Sequence, residues 1–189
     1  MKITVALGML FVGLLASVVP AQAQLTITPI FDSSITGDPN AAAIEATINK
    51  AIANFEALYT NHITVSIYFQ EGGGLGQSND IVYSVSYTSF YNGLVANHSN
   101  PAAVAALNAN GGNAGTNGGI NPVSGTSTIM VKAPNGRAVG LSTAAGCQVT
   151  ATGLGTLGGN IPNNCGSGPG PTVDGIISLN TPITSPHSD

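Results

Sequence analysis

The stretch from Asp38 to Phe69 reads DPNAAAIEATINKAIANFEALYTNHITVSIYF, and its periodicity decides the architecture. Asp38 is placed to accept from the orphan amides of a helix start, and Pro39 suits the first helical position. Ile44, Ile48, Ala51, Ile52, Phe55, Leu58 and Tyr59 then recur at steps of three and four and make one apolar stripe. Glu45, Asn49, Lys50 and Glu56 fall largely off it. The spacing predicts one amphipathic helix of about 20 residues, ended by Asn61-His62. Ile63, Val65, Ile67 and Phe69 alternate with their neighbours and predict a strand. Upstream, Leu25 to Phe31 (LTITPIF) predicts another strand, with Pro29 marking an edge or a bulge. A strand, a helix and a strand in close succession make a βαβ-like unit, and Asp32 to Gly37 between them reads as a polar loop.

Outward from this unit the patterns weaken. Glu71 to Asp80 (EGGGLGQSND) reads as a mobile loop, and Ile81 to Tyr87 as a short strand. Ser89 to Asn97 and Pro101 to Leu107 read as short helices, the second opened by its proline. Asn108 to Gly125 is a long Gly/Asn-rich loop. Thr126 to Val131 and Arg137 to Leu141 read as strands joined at an Asn135-Gly136 turn. Ser142 to Thr172 is a long segment of low charge, and Val173 to Leu179 (VDGIISL) predicts the last strand. The fold class is therefore α+β: a twisted mixed sheet, one long amphipathic helix, one or two short helices and long Gly/Asn-rich loops. One domain is expected over 24–180, with 181–189 as a disordered tail.

The first residues read as an export signal. Met1-Lys2 is a short charged start, Ile3 to Leu15 is apolar, and Ala21-Gln22-Ala23 fits a cleavage site, which makes 1–23 a signal peptide. A secreted or cell-surface location follows as the expectation, with no membrane contact after cleavage. Cys147 and Cys165 in an exported chain most simply form one disulfide, worth roughly 3 kcal/mol in lost loop-closure entropy. With no His nearby, they make a poor metal site. Without residues 1–23 the chain keeps Lys50, Lys132 and Arg137 against eight acids. Only 6% of residues are charged, and from Ile81 to Val173 the only charges are Lys132 and Arg137. Nucleic-acid binding by phosphate neutralisation is excluded, as is a polybasic membrane module.

Motifs for chemistry are scarce. The histidines, His62, His98 and His187, have no zinc-binding helical spacing. No serine sits in a nucleophile elbow, and Gly72 to Gly76 lacks the Lys-Ser/Thr ending of a phosphate loop. Glu45 and Glu56 read as solvated helix charges, and Asp32, Asp38 and Asp80 as turn and cap residues. No catalytic or metal-binding residue is assigned.

Three phrases in order carry a resemblance: ITPIFDSSIT (Ile27 to Thr36), FEALYTNHITVSIYF (Phe55 to Phe69) and DGIISLNT (Asp174 to Thr181). The chain resembles the N-terminal half of a zincin, a metalloprotease of the HExxH superfamily. It is more closely similar to a family of secreted bacterial metalloprotease-like proteins, many of which carry a PEP-CTERM sorting tail. The resemblance implies a zincin-like N-terminal subdomain, zinc as the cofactor of full-length relatives, and a polypeptide as their substrate. It also implies that Ile176, Ile177, Ser178, Leu179 and Asn180 form a sheet edge that pairs with extended substrate, just before the zinc-binding helix. No HExxH helix occurs in the sequence, so the expectation is a truncated or degenerate relative, inactive by itself. Ile176, Ile177 and Leu179 would then expose an apolar face. The alternative is a non-catalytic extracellular binding or structural domain. A hydrolase site assembled from Asp and Glu has no support from spacing.

Overall fold

Alternating strands and a 3.6-period helix bury their apolar faces only when stacked in layers. The computed structural model describes residues 25–97, 101–148 and 171–184. β1 (Thr26–Phe31) is followed by α1 (Ser33–Thr36), α2 (Ala41–Glu56) and β2 (Thr64–Glu71), and β1 and β2 pair in parallel from Thr26↔Thr64 to Phe31↔Phe69. The expected strand–helix–strand unit is thus present. β3 (Gln77–Asp80), β4 (Val82–Ser86), α3 (Tyr87–Asn97) and α4 (Pro101–Ala109) follow. Then come β5 (Thr128–Lys132), α5 (Ala133–Ala138), β6 (Cys147–Gln148), β7 (Thr172–Val173), β8 (Gly175–Leu179) and α6 (Thr181–Thr184). The main sheet has the order β1-β2-β8-β3. β8 runs parallel to β2 and antiparallel to β3, so the sheet is mixed. β4–β5 and β6–β7 form two further antiparallel pairs.

The two faces of the main sheet make separate cores. Toward α2, Ile35, Ile48, Ile52 and Phe69 are buried, with Ile27, Phe31, Ile44, Ile67, Ile177 and Leu179 packed around them. On the other face Tyr68 and Ile176 meet Ile81, Ala133 and Val173. A third cluster, Tyr87, Tyr91 and Ala114, lies at α3, with Leu107 of α4 and Ile129 of β5 against it. Two tyrosine hydroxyls are satisfied there: Tyr87 donates to Gly112 O (2.6 Å) and Tyr91 to Asn108 Oδ1 (2.8 Å).

Several sequence expectations are corrected. The loop Asp32–Gly37 contains α1, because Asp32 Oδ1 accepts from Ser34 N and the turn drives Ile35, 0% exposed, into the core. α2 starts at Ala41 rather than at Pro39, since Asp38 closes its own turn by accepting from Asn40 N (2.6 Å). Of the apolar stripe Ile48 and Ile52 are buried, whereas Ala51, Phe55, Leu58 and Tyr59 are exposed. Arg137 to Leu141 is not a strand, and Asn135-Gly136 is not a hairpin turn. Both lie in or beside α5, whose proline sits at its start. Glycine is needed at 136 for another reason: a Cβ there would lie 2.2 Å from Thr143 Oγ1, which donates to Ala133 O. Residues 181–184, placed in the tail, form a helical turn.

The largest correction concerns the strand of Ile176, Ile177, Ser178, Leu179 and Asn180. It is not an edge: β2 takes one side of it and β3 the other. Ile176 is 1% exposed, and Ile177 and Leu179 pack toward α2, so no open apolar face forms there. The edge belongs to β3, inside what reads as a mobile loop. Its preceding turn straps over the end of β8, where Gly72 N donates to Leu179 O and Asn180 Nδ2 to Gly74 O. A Cβ at Gly72 would meet Ser178 Cβ at 2.9 Å, and Gly74 and Gly76 have φ of +79° and +105°, so glycine is required by contact and by conformation.

The signal segment 1–23, His98, His187, Cys165 and the last residues of the tail lie outside the described residues. So does the partner half of the expected Cys147–Cys165 bond. Among the described residues no helix is long and apolar enough to cross a membrane.

Candidate functional site

Where β2 begins, β8 enters and β3 ends, the α2-side face of the sheet carries a cleft of about 180 Å³. Val65 and Ile67 of β2 and Gly175 and Ile177 of β8 line it with apolar surface. These four share a face by strand alternation, and Ser78 and Asp80, opposite Ile177 and Gly175 in the register, share it too. Pro134 and Asn135 at the start of α5 also line the cleft, with Asp80, Lys132 and Asp174 supplying its charges.

Asp174 interrupts the chain between β7 and β8 and is 3% exposed. It clamps Ser66 from both sides: its amide donates to Ser66 O (2.8 Å), and its Oδ2 accepts from Ser66 N (3.0 Å). Arg137 Nη2 donates to the same Oδ2 at 2.8 Å and to Thr64 O at 2.9 Å, while Nη1 donates to Thr143 O at 2.9 Å. One guanidinium therefore joins α5, the segment after it, β2 and the entry of β8. Asp174 Oδ1 is buried without a hydrogen-bond partner among the described residues. At the cleft's outer side Lys132 Nζ pairs with Asp80 Oδ2 on a far more open surface. The two cations of the Ile81–Val173 stretch thus pair with the two acids that immediately flank it. Two positive and two negative side chains cancel, leaving a neutral cleft with an apolar floor.

A second polar cluster closes the opposite end of the strands. Tyr68 donates to Asp32 Oδ2 in a short bond. Glu71 N donates to Ser34 Oγ (2.9 Å), and Thr181 Oγ1 donates to Glu71 Oε1 (2.8 Å). Burial pushes the Asp32 carboxyl up, but hydrogen bonds from Tyr68, Ser34 and Ser33 outweigh it and hold the group below the usual aspartate value. Burial, then the hydrogen bond and charge of Asp32, push the Tyr68 phenol up to about 12. Behind them Gln70, 5% exposed, donates to Ser178 Oγ (2.8 Å), and its Oε1 is buried without a partner among the described residues. These contacts tie α1, β1, β2 and α6 together and read as a structural rim.

Of the residues weighed from sequence, Ser178 reaches Gln70 and Asn180 reaches Gly74, while His62 is exposed in a loop. Glu56 turns to β1 and accepts from Ile27 N (2.7 Å). No sequence motif marks Asp174, Arg137 or Lys132 as site residues, and Asp80 reads only as a turn or cap residue. The isolation of Lys132 and Arg137 in an uncharged stretch was the available signal. Among the described residues no group of three or more His, Cys, Asp or Glu side chains is placed to hold a metal ion. Comparison with protein-family models, with curated proteins and with solved structures finds no match.

Proposed function

We propose that this chain holds an extended polypeptide along β3, as the substrate-binding half of an exported zincin-like metalloprotease. The observation that carries the reading is the juxtaposition of an antiparallel edge strand with a neutral, apolar-floored cleft. An added strand satisfies its backbone on such an edge and sends alternate side chains toward one face. The cleft is on that face, beside Ser78 and Asp80, and suits an uncharged side chain. The zincin reading also rests on the three phrases quoted above, and export and the Cys147–Cys165 disulfide belong to the same proposal. The described residues do not fit zinc, so no hydrolytic step is placed on them. The zinc-binding helix of such an enzyme has no counterpart among them.

A non-catalytic binding domain is the second reading. The loop between α4 and β5 favours it, because that loop is shaped by its own side chains. Asn117 Nδ2 donates to Gly111 O and Ile120 O (both 2.7 Å), Asn121 Oδ1 accepts from Val123 N, and Val123 stands 93% exposed.

The test uses denatured casein carrying fluorescein, with zinc content measured on the same protein. Binding seen as a rise in polarisation, and lost in Ser78→Tyr, which fills the cleft from its exposed rim, supports peptide capture. Cleavage that a chelator stops, with bound zinc, supports a protease whose ligands lie beyond the described residues. Binding without zinc or cleavage, lost in Ser78→Tyr, fits a peptide-holding half that lacks catalytic machinery. No binding by the unaltered chain, or equal binding by Ser78→Tyr, refutes the proposal.

A further inference from the structure

The apolar stripe of α2 runs on past the place where it has a core to fill. Ile44, Ile48 and Ile52 pack against the sheet, but Phe55 is 54% exposed, Leu58 75% and Tyr59 48%. The reason is position. Tyr59 O accepts from Leu25 N and Glu56 accepts from Ile27 N, so this end of α2 lies beside the first residues of β1, and the sheet starts only at the Thr26↔Thr64 pair. Large exposed apolar residues are unremarkable singly, but three within five positions at one corner form a patch. Charge near it is sparse: Lys50 and His62 are exposed, and Glu56 is turned to β1.

The same corner is where the N-terminal stretch joins the domain. Nine residues, Ala16 to Gln24, separate Leu25 from the apolar run Ile3 to Leu15. Fully extended, they reach on the order of 30 Å. On the export reading proposed above, a bilayer that holds that run lies within about 30 Å of Phe55, Leu58 and Tyr59. We propose that this patch is a membrane contact, and that while the N-terminal run remains attached the α2 end rests in the headgroup region of the bilayer. Phe55 and Leu58 supply apolar area, and Tyr59 combines an apolar ring with a hydroxyl that stays hydrated, the pairing favoured at membrane interfaces. The exposed Lys50 ammonium on the same helix favours anionic headgroups. The contact does not need the polybasic surface that the composition excludes.

The sequence contains no tryptophan, so one introduced residue reports alone. Leu58→Trp places it in the patch. Leu75→Trp places it at a site 96% exposed in the turn after β2, at the opposite end of that strand, and serves as the control. Both full-length chains are mixed with vesicles of phosphatidylethanolamine and phosphatidylglycerol, with and without lipids brominated near the headgroup. The expected result is flotation with the vesicles, a blue shift for Leu58→Trp, and quenching several-fold greater there than for Leu75→Trp. Equal quenching at the two sites, or no flotation, overturns the proposal. So does a Leu58→Trp blue shift that appears without vesicles as protein concentration rises, since the patch would then meet a second copy.

Discussion

Replacing Arg137 with methionine strips the guanidinium from a carboxylate that has little access to water. Asp174 is 3% exposed at its side chain and Arg137 24%. Breaking a buried pair by removing one partner costs roughly 3–5 kcal/mol, because the remaining charge is stranded. Arg137 is about a quarter open, so the lower end, roughly 3 kcal/mol, is the expected loss by that principle. A domain of this size loses about 2–4 °C of Tm per kcal/mol, which makes the expected fall roughly 6–12 °C. Lys132→Met is the internal comparison. Its pair with Asp80 is 60% and 33% exposed, and such surface pairs contribute no more than about 1 kcal/mol. Urea unfolding followed by tyrosine near-ultraviolet circular dichroism measures both, with unchanged m-values confirming a change in stability rather than in compactness. The double change Arg137→Met with Asp174→Asn should recover part of the loss, since no charge is then stranded. If Arg137→Met costs no more than Lys132→Met, Asp174 is not the buried anchor of β8 and the reasoning fails.

Four further outcomes are expected, three from the same geometry and one from the sequence. Tyr68 has its folded pKa raised to about 12 from the ordinary phenol value of 10.0, so its protonated form is favoured by folding; stability is complete below about pH 10 and falls as pH rises toward 12, and Tyr68→Phe should flatten that alkaline limb in unfolding curves. Asp32 works in the opposite sense: its folded pKa lies below 3.8, so its contribution is present above that value and is lost only as pH falls through the depressed pKa, which an acid titration of Asp32→Asn against the unaltered chain would show. Gly72→Ala drives a Cβ to 2.9 Å from Ser178 Cβ and should cost about 1–3 kcal/mol by overpacking, whereas Gly73→Ala, with nothing within 4 Å, should stay within about 0.5 kcal/mol; thermal melts of the pair decide it. Intact-mass measurement after alkylation should find Cys147 and Cys165 blocked in exported protein, and free thiols at both would end the disulfide proposal.

What was legible in the sequence was whatever depends on local period. Ile44, Ile48 and Ile52 at helical spacing and Ile63 to Phe69 at strand spacing could be read because their neighbours along the chain set their faces. β3 could not. Its sequence, Gln-Ser-Asn-Asp, has no apolar residue, and it is a strand only because β8 supplies its partners. The Asn135-Gly136 pair fits a hairpin turn equally well until Thr143 is known to press against Gly136. Phe55 and Leu58 carry the right period, but periodicity cannot tell where the sheet beneath a helix stops. The burial of β8 on both faces did have a signal. Adjacent isoleucines followed by Leu179 put apolar groups on both faces, as strands covered on both sides do.

The position of β8 also links the cleft to the order in which the sheet can form. β2 and β3 are close in sequence but are not paired; β8, nearly a hundred residues later, fills the space between them. The glycine turn must therefore carry the chain across a gap one strand wide, which is why it straps over Ser178 instead of closing a hairpin. Until β8 arrives, β3 has no partner in the main sheet and the cleft has neither Ile177 nor Asp174. Closing so long a loop before its contacts form is slow. The contacts of Asp174 with Ser66 and Arg137 fix the β8 entry and hold Gly175 opposite Asp80. A substitution at Arg137 should for this reason weaken casein capture as well as stability, although Arg137 does not line the cleft. Arg137→Met protein that remains folded at low temperature yet binds labelled casein as well as the unaltered chain would separate the anchor from the site.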